Sequence, residues 1–162
     1  TSEALEYDLN LNDSKNFAYL TDNSLIPFSK ELEYIHNYID IEQMRFSGLK
    51  IEYDIKSSNF LIPTLAIQPL VENAVRHGIS KKQDVSGTIK IQSFEDDNNY
   101  VIRIIDDGVG FSTTTPKDNK KHIGITNSKT RLALLCNGSL TIVSEPKQNT
   151  TCEIKIPKGE HK

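Results

Sequence analysis

Residues 62–79 read IPTLAIQPLVENAVRHGI, and they decide the fold of this chain. Pro63 and Pro69 each suit a first helical position, so we expect a short helical turn and then a helix from Pro69 to His77. Gly78 is the expected stop of this helix. Its apolar side consists of Leu70, Val71, Ala74 and Val75. This side predicts one face that packs on a core.

The polar side of the same helix is rich in groups that bind ligands. It carries Glu72, Asn73, Arg76 and His77. An asparagine carbonyl oxygen is a hard ligand that suits Mg²⁺, and a basic residue one turn further along can meet a phosphate. An amphipathic helix with an ordinary hydrated face gives the same pattern. The helix by itself therefore leaves both interpretations open.

The sequence before this helix predicts one more helix and one strand. Ser29 can cap a helix that ends near Gly48, because apolar residues recur in it at roughly helical spacing. These residues are Leu32, Ile35, Ile39 and Phe46. Residues 49–56 then alternate between apolar and charged side chains, as in a half-buried strand. Residues 1–27 match neither the helical nor the strand period of apolar residues, and we interpret them as a linker or the tail of an upstream element.

The sequence after the helix predicts four strands and a third helix. Residues 87–94 alternate, and residues 100–106, YVIRIID, form a nearly continuous β-branched run that is typical of a central strand. A helix is predicted at 124–136, ended by Asn137-Gly138. The last two strands are predicted at 139–144 and 151–156. Because strands come in pairs instead of alternating with helices, we expect an α/β sandwich with a mixed sheet and helices on one face.

The most apolar strand is followed directly by Asp106-Asp107-Gly108-Val109-Gly110. A carboxylate at the end of a central strand is costly to bury without a partner, and two glycines one residue apart let the backbone approach a flat ligand. Asp-Gly is also a common turn pair, so a hairpin is the alternative. A tight hairpin does not explain why the next recognisable element lies more than a dozen residues further on.

Residues 111–124, FSTTTPKDNKKHIG, are predicted as a long loop that leads into the third helix. Loops of this length in compact domains are usually functional lids or disordered insertions. The amides at the start of the next helix can receive an anion. The loop itself carries four basic or titratable groups, Lys117, Lys120, Lys121 and His122. A solvated charged loop is the alternative interpretation.

The composition and the missing motifs argue against several classes of protein. The 162 residues hold 19 basic and 22 acidic side chains, a net charge of −3, which leaves no basic excess for a nucleic-acid backbone. We therefore expect no nucleic-acid partner. Two cysteines are too few for a disulfide scaffold, and P-loop, Rossmann, GxSxG and HExxH motifs do not occur. A cytosolic setting is the default, and the start at Thr1 leads us to expect a piece of a longer protein.

The order of these motifs resembles the GHKL superfamily of ATP-binding domains, which includes gyrase-type topoisomerases, heat-shock chaperones, mismatch-repair ATPases and histidine kinases. Within it, LEYIHNYIDIEQMRF followed by IPTLAIQPLVENAVRHGI is similar to sensor histidine kinases of the LytS type. The resemblance implies a Bergerat-type α/β sandwich with a mixed, mostly antiparallel sheet, helices on one face and an ATP lid. It implies a catalytic domain at 28–158 and a short tail at 159–162.

The resemblance also assigns roles to individual residues. Asn73 matches the asparagine that ligates Mg²⁺, and Asp106 matches the aspartate that accepts a hydrogen bond from the adenine amino group. Gly108 and Gly110 match the glycines that line the base. Gly124 matches the second glycine of the GxGL box at the far end of the lid.

A second group of residues is expected around the phosphates. Arg76 and His77 occupy the place where the family has a basic pair, and Lys121 lies in the lid. Glu72 and Arg76 are the candidate catalytic residues. Where the family has the first glycine of its GxGL box this chain has His122, so we expect a stiffer lid hinge.

The resemblance implies a kinase that holds Mg·ATP and presents the γ-phosphate to a histidine on a dimerisation domain. The NPHF-like phosphoacceptor segment of these kinases does not occur here, and His36 lies in the helix that the family places downstream of it. The expected partners are an upstream dimerisation helix and a response regulator. We expect a homodimeric, membrane-anchored parent protein with this domain on its cytoplasmic side.

Two other functions stay open. A GHKL-type ATP hydrolase needs a water-activating glutamate four residues before the asparagine, and this chain has Pro69 there. A non-catalytic module that senses nucleotide or binds partner proteins is the other alternative, which the altered lid box keeps open.

Overall fold

A five-stranded sheet covered by helices carries the predicted site. The structure, a computed structural model, describes residues 24–79, 86–109, 119–144 and 149–159, with only the backbone at 119–124. In chain order the elements are β1 (Leu25–Pro27), α1 (Phe28–Arg45), β2 (Gly48–Ile55), β3 (Leu61–Pro63), α2 (Gln68–Asn73), a π-helical turn (Ala74–Gly78), β4 (Ser86–Glu95), β5 (Asn99–Asp106), α3 (Asn119–Cys136), β6 (Ser139–Val143) and β7 (Thr150–Pro157).

The strand order of the large sheet is β2-β4-β5-β7-β6. The pair β2–β4 is parallel, and the other three pairs are antiparallel. The sheet is therefore mixed and mostly antiparallel, as predicted. The strand at 99–106 lies in the middle of it, which confirms the prediction from its continuous β-branched run.

The two faces of this sheet differ because side chains alternate along each strand. On the inner face, Ile91, Ile104 and Cys152 are neighbours in register, and all three are buried. On the outer face, Arg103 Nε donates a 2.7 Å hydrogen bond to Glu153 Oε2. The inner face shares one hydrophobic core with all three described helices, to which α1 contributes Ile35 and Ile39, α2 Leu70 and Val71, and α3 Leu132.

A two-stranded antiparallel sheet lies apart from the large one. It pairs β1 with β3, and Ile26 is opposite Ile62. The predicted linker thus includes three residues that form a strand, and Pro63 ends a strand instead of starting a helical turn. The sequence signal was weak because three-residue strands are too short to show a period.

The start of α1 also differs from the prediction. The helix begins at Phe28 after Pro27, and Ser29 is an exposed residue in its first turn and not its cap. The Phe28 N–H donates a 2.9 Å hydrogen bond to the Phe60 carbonyl, and the two rings stack at 4.8 Å. A tertiary contact therefore takes the place of a local cap.

The third helix starts earlier than predicted. Its backbone is helical from Asn119, so Lys121, His122 and Gly124 lie in the first turns of α3 and not in a loop. Residues 119–123 contain no proline or glycine, and nothing in them ends a helix. The rest of the predicted lid, with Lys117, lies outside the described residues, and so does Gly110 of the Asp106–Gly110 motif. None of the described helices is both long enough and apolar enough to cross a membrane.

Candidate functional site

Asp106 is the last residue of β5 and is 4% exposed. Its Oδ1 accepts a 2.8 Å hydrogen bond from the Gly108 N–H, so the chain turns back over the carboxylate. Burial raises the pKa of this carboxyl to about 6, against the effect of the Gly108 N–H, and the neighbouring Asp107 carboxylate adds to the rise. A carboxylate buried at such a cost at the end of a central strand is typical of a functional group.

Asp107, the next residue, links two strands of the sheet. Its Oδ1 accepts a 2.8 Å hydrogen bond from the Thr88 N–H, and its own N–H donates to the Thr88 carbonyl at 3.3 Å. These two bonds tie the end of β5 to the start of β4. The Asp107 carboxylate also lies against Gly87, where an added Cβ would overlap it. Asp107 is thus committed to the fold, and Asp106 Oδ2 is the carboxylate oxygen that can accept from a ligand.

Sequence reasoning missed a residue of β7 that lies opposite Asp106 in the sheet. Thr150 is opposite Asp106 in register, is buried, and lies 2.5 Å from the Ser144 hydroxyl, oxygen to oxygen. Cys152, the next residue on the same face, has a thiol pKa raised to about 12 by burial and by the Asp106 carboxylate. Thr150 lies just before the strand predicted at 151–156, so the sequence pattern did not point to it, and the pairing of β5 with β7 is not visible in the sequence.

The helix that carries the other candidate residues changes geometry in its middle. Asn73, half-buried, is the last residue of α2, and the π-helical turn from Ala74 follows without a break. The Ala74 N–H is shared between the Leu70 and Val71 carbonyls. A π-helical turn widens the helix, and such turns are frequent at functional sites. It places Arg76 on the exposed surface and leaves His77 half-buried.

Glu72 is held from within its own helix. Its Oε2 accepts a 3.0 Å hydrogen bond from Gln68 Nε2, one turn earlier. Tyr38 of α1 lies near the charges of both Glu72 and Arg76. Burial raises the pKa of the Tyr38 phenol, and the Glu42 and Glu72 carboxylates raise it further. The Arg76 guanidinium lowers it. The polar side of α2 therefore faces α1 in part, and Glu72 and Arg76 lie near one another there.

The two candidate segments converge at Gly87. Ile79 follows the π-helical turn directly, and its Cγ1 lies 3.2 Å from the position that a Cβ at Gly87 would occupy. The Asp107 carboxylate overlaps the same position. The turn that carries Arg76 and His77 therefore ends beside the segment that follows Asp106. Where the Lys121 side chain and Gly110 lie relative to this site falls outside the described residues.

The polar side chains of this site suit a metal ion that is bound together with a nucleotide. Among the described residues, no group of three or more His, Cys, Asp or Glu side chains could hold a metal ion by itself. Mg²⁺ in nucleotide sites is bound by one or two protein oxygens together with phosphates and water. An asparagine side-chain oxygen is a donor of this kind, and Asn73 is half-buried at the end of α2.

The fold and this site define a class of protein. The sequence profile of the histidine kinase-, DNA gyrase B-, and HSP90-like ATPase family matches residues 61–160, and the chain belongs to this family. The structure is similar to that of the Acinetobacter baumannii histidine kinase AdeS, with a TM-score of 0.67 and 16% identity, over 98% of this chain and 91% of that one. The catalytic domain of the histidine kinase ThkA matches with a TM-score of 0.64 and 12% identity, over 83% and 96%.

Relatives in sequence narrow this class to sensor histidine kinases. The sensor protein LytS of Bacillus subtilis (strain 168) is 34% identical over 152 residues, 85% of this chain and 26% of LytS. A putative uncharacterized protein, YwpD, of the same strain is 35% identical over 156 residues, 90% of this chain and 55% of YwpD. The described residues are the ATP-binding catalytic domain of a histidine kinase of this type. The chain spans between a quarter and about half of the length of these two relatives.

Proposed function

We propose that this domain binds Mg·ATP with Asp106 on the adenine amino group and Asn73 on the metal, and presents the γ-phosphate to a histidine on another segment. The observation that carries the proposal is the Asp106 carboxyl, buried at the end of β5 with a pKa of about 6 and one oxygen committed to the Gly108 N–H. At neutral pH this group is ionised and accepts hydrogen bonds only, which suits an exocyclic amino group and not a carbonyl.

The remaining candidates are assigned to the phosphates and the transfer step. Arg76 and His77 follow Asn73 by one turn and can meet phosphate oxygens, with Lys121 at the start of α3 as a further basic residue. Glu72, held by Gln68, is the proposed base for the N–H of the acceptor imidazole. Mg²⁺, when bound, supplies charge neutralisation at the phosphates. Phosphoryl transfer needs mainly positioning and such neutralisation.

The wider function is proposed for the whole protein. The relatives are longer chains, and one of them carries the name of a sensor protein. We infer a parent with an upstream dimerisation helix that bears the phosphoacceptor histidine, and a response regulator that receives the phosphoryl group. A homodimeric, membrane-anchored parent would hold this domain on the cytoplasmic side, where ATP is available.

A titration of the chain with nucleotide tests the site. We expect calorimetry to show binding of Mg·ATP that is tighter than that of ATP with EDTA, and much tighter than that of Mg·GTP. Asn73→Ala should remove the Mg²⁺ dependence, because it removes the proposed metal ligand, and leave the far-UV CD spectrum unchanged. Asn37→Ala, an exposed amide on α1, is the matched control. An Asn73→Ala variant that keeps the full Mg²⁺ dependence would contradict the metal assignment.

An ATP hydrolase is the second candidate, and the structure offers little for it. Pro69, four residues before Asn73, lies in the first turn of α2 and has no ionisable group. A water-activating base is therefore missing at the position where the family's hydrolases have one.

A further inference from the structure

Glu31 is a carboxylate of α1 with 0% of its surface exposed. Its Oε2 accepts hydrogen bonds from the Ile67 N–H at 3.1 Å and the Gln68 N–H at 3.2 Å, and its Oε1 accepts one from the Leu65 N–H at 3.3 Å. Three backbone amides of a segment more than 30 residues away thus converge on one side chain. Glutamate is almost never fully buried unless it is paired in this way.

These amides belong to the start of the helix that carries Asn73. The N-cap residue of α2 is Ile67, and among the described residues the helix has no cap from its own N-cap side chain. Leu65, just before it, has a positive φ of 61°. The first N–H groups of a helix need acceptors, and negative charge is favourable at that end. Glu31 supplies both from a neighbouring helix.

The helix α3, which follows the predicted lid, also contacts the segment directly before α2. Arg131 of α3 donates a 2.7 Å hydrogen bond from Nη2 to the Thr64 carbonyl, directly before the capped segment. Its positive charge also acts on the Glu31 carboxylate and, with the three amides, opposes the rise in the pKa of Glu31 that burial causes. Residues 64–68 are therefore held by α1 on one side and by α3 on the other.

We propose that Glu31, supported by Arg131, is a positioning residue that sets the orientation of residues 68–78 and so aims Asn73 at nucleotide-bound Mg²⁺. This inference rests on the proposed function. Asn73 follows Gln68 by five residues in an unbroken helix, so any shift at the capped end is transmitted to it. A displacement of about 1 Å in a positioning group can cost up to about 100-fold in a reaction that depends on geometry.

Glu31→Gln tests this inference, because glutamine keeps the shape of the side chain and loses its charge and one acceptor. We expect Mg·ADP to bind about tenfold more weakly to the folded variant, and ADP with EDTA to bind with a smaller loss, so that the enhancement of affinity by Mg²⁺ shrinks. Amide hydrogen exchange should become faster at residues 70–79.

Two variants on the same helix serve as matched controls. Glu33→Gln makes the same chemical change at an exposed position, and Ile35→Val weakens the core of α1 without touching the cap. Both should keep the Mg²⁺ enhancement of the wild type. If Ile35→Val, at the same loss of stability, reduced the enhancement as much as Glu31→Gln, the effect would be one of stability alone and the inference would be wrong.

A wild-type Mg²⁺ enhancement in folded Glu31→Gln overturns the inference. If that variant does not fold, Arg131→Gln is measured in its place, and an unchanged enhancement there overturns it equally. If the wild-type chain shows no Mg²⁺-dependent ADP binding, the proposed function fails. Hydrogen exchange then decides the positioning role by itself: unchanged exchange at residues 70–79 in the variant rejects it, and faster exchange confined to those residues supports it.

Discussion

Asp106 lies on the inner face of the sheet opposite Thr150 in register, and its carboxyl group accepts a hydrogen bond from the Gly108 N–H. A pKa raised from 3.8 to about 6 corresponds to about 3 kcal/mol of unfavourable free energy for the ionised form at neutral pH, as an upper limit. The folded state keeps this proton up to about pH 6, whereas the unfolded chain releases it near pH 3.8. The stability that this group contributes is therefore complete below about pH 3.8 and is lost as the pH rises to about 6.

Asp106→Asn should separate stability from binding. We expect the free energy of unfolding to rise by about 1–3 kcal/mol at pH 8 and to change little at pH 3.5, because the variant removes a buried charge that exists only at the higher pH. Affinity for ATP should fall at least about tenfold, since an amide can present the wrong group to the adenine. Urea denaturation at the two pH values and calorimetry measure these effects.

Asp96→Asn provides a control of opposite sign. Backbone N–H groups of Asn99 and Asn98 lower the pKa of this exposed carboxyl, so it stabilises the fold above its ordinary pKa and loses that effect as the pH falls. The variant should be less stable than the wild type at pH 8 and should bind ATP normally. A loss of stability in Asp106→Asn at both pH values would contradict the assignment of Asp106 as a strained functional group.

At the scale of the element, the end of α3 shows a local signal that the structure confirms. The sequence predicts that the helix stops at Asn137-Gly138, and α3 ends at Cys136. Asn137 has a positive φ of 58°, and the Gly138 N–H donates a 2.8 Å hydrogen bond to the Leu132 carbonyl. Asparagine and glycine are the residues that adopt this conformation most readily.

Substitution of Asn137 measures the contribution of this stop. Asn137→Ala should lower the free energy of unfolding by about 1 kcal/mol, because alanine is strained at a positive φ, and Asn137→Gly should leave it unchanged or raise it by a few tenths. Lys129→Ala, an exposed change inside α3, should have little effect. Chemical denaturation of the three variants measures the differences, and equal stability of Asn137→Ala and wild type would contradict this explanation.

Other elements depend on partners distant in sequence. The start of α1 is fixed by the Phe60 carbonyl, and the start of α2 by the Glu31 carboxylate. In both cases the acceptor lies more than 30 residues away. Local rules therefore placed Ser29 and Pro63 in roles that these residues do not have.

At the scale of the whole molecule, the arrangement of α1 bears on which histidine could receive a phosphoryl group. Tyr38 faces the charges of Glu72 and Arg76. His36 precedes it by two residues, which is about 200° around a helix, so its side chain points away from that surface. The His36 ring lies instead near Tyr53 of β2, with 6.5 Å between ring centroids, and 3.5 Å from the Asp40 carboxylate.

We expect the isolated chain, incubated with labelled ATP, neither to label itself nor to turn over ATP appreciably. His36 points away from the proposed phosphate site, and Pro69 cannot activate water. A separate fragment that carries the dimerisation helix of the family should become labelled, and the label should disappear with Asn73→Ala. Acid-labile phosphate on His36 of the isolated chain would contradict this geometry, and steady ATP turnover would favour the hydrolase.

Local patterns in the sequence were enough to predict the central strand, the apolar face of α2, the mixed sheet and the order of motifs that led to Asp106 and Asn73. Such features depend on periodicity and on residues close in sequence, and burial follows directly from them. Three features came only from the folded chain: the register that places Thr150 opposite Asp106, the π-helical turn after Asn73 and the capping of α2 by Glu31. Each of these joins groups distant in the chain or depends on how a helix is packed, and no local pattern encodes which buried donor meets which acceptor.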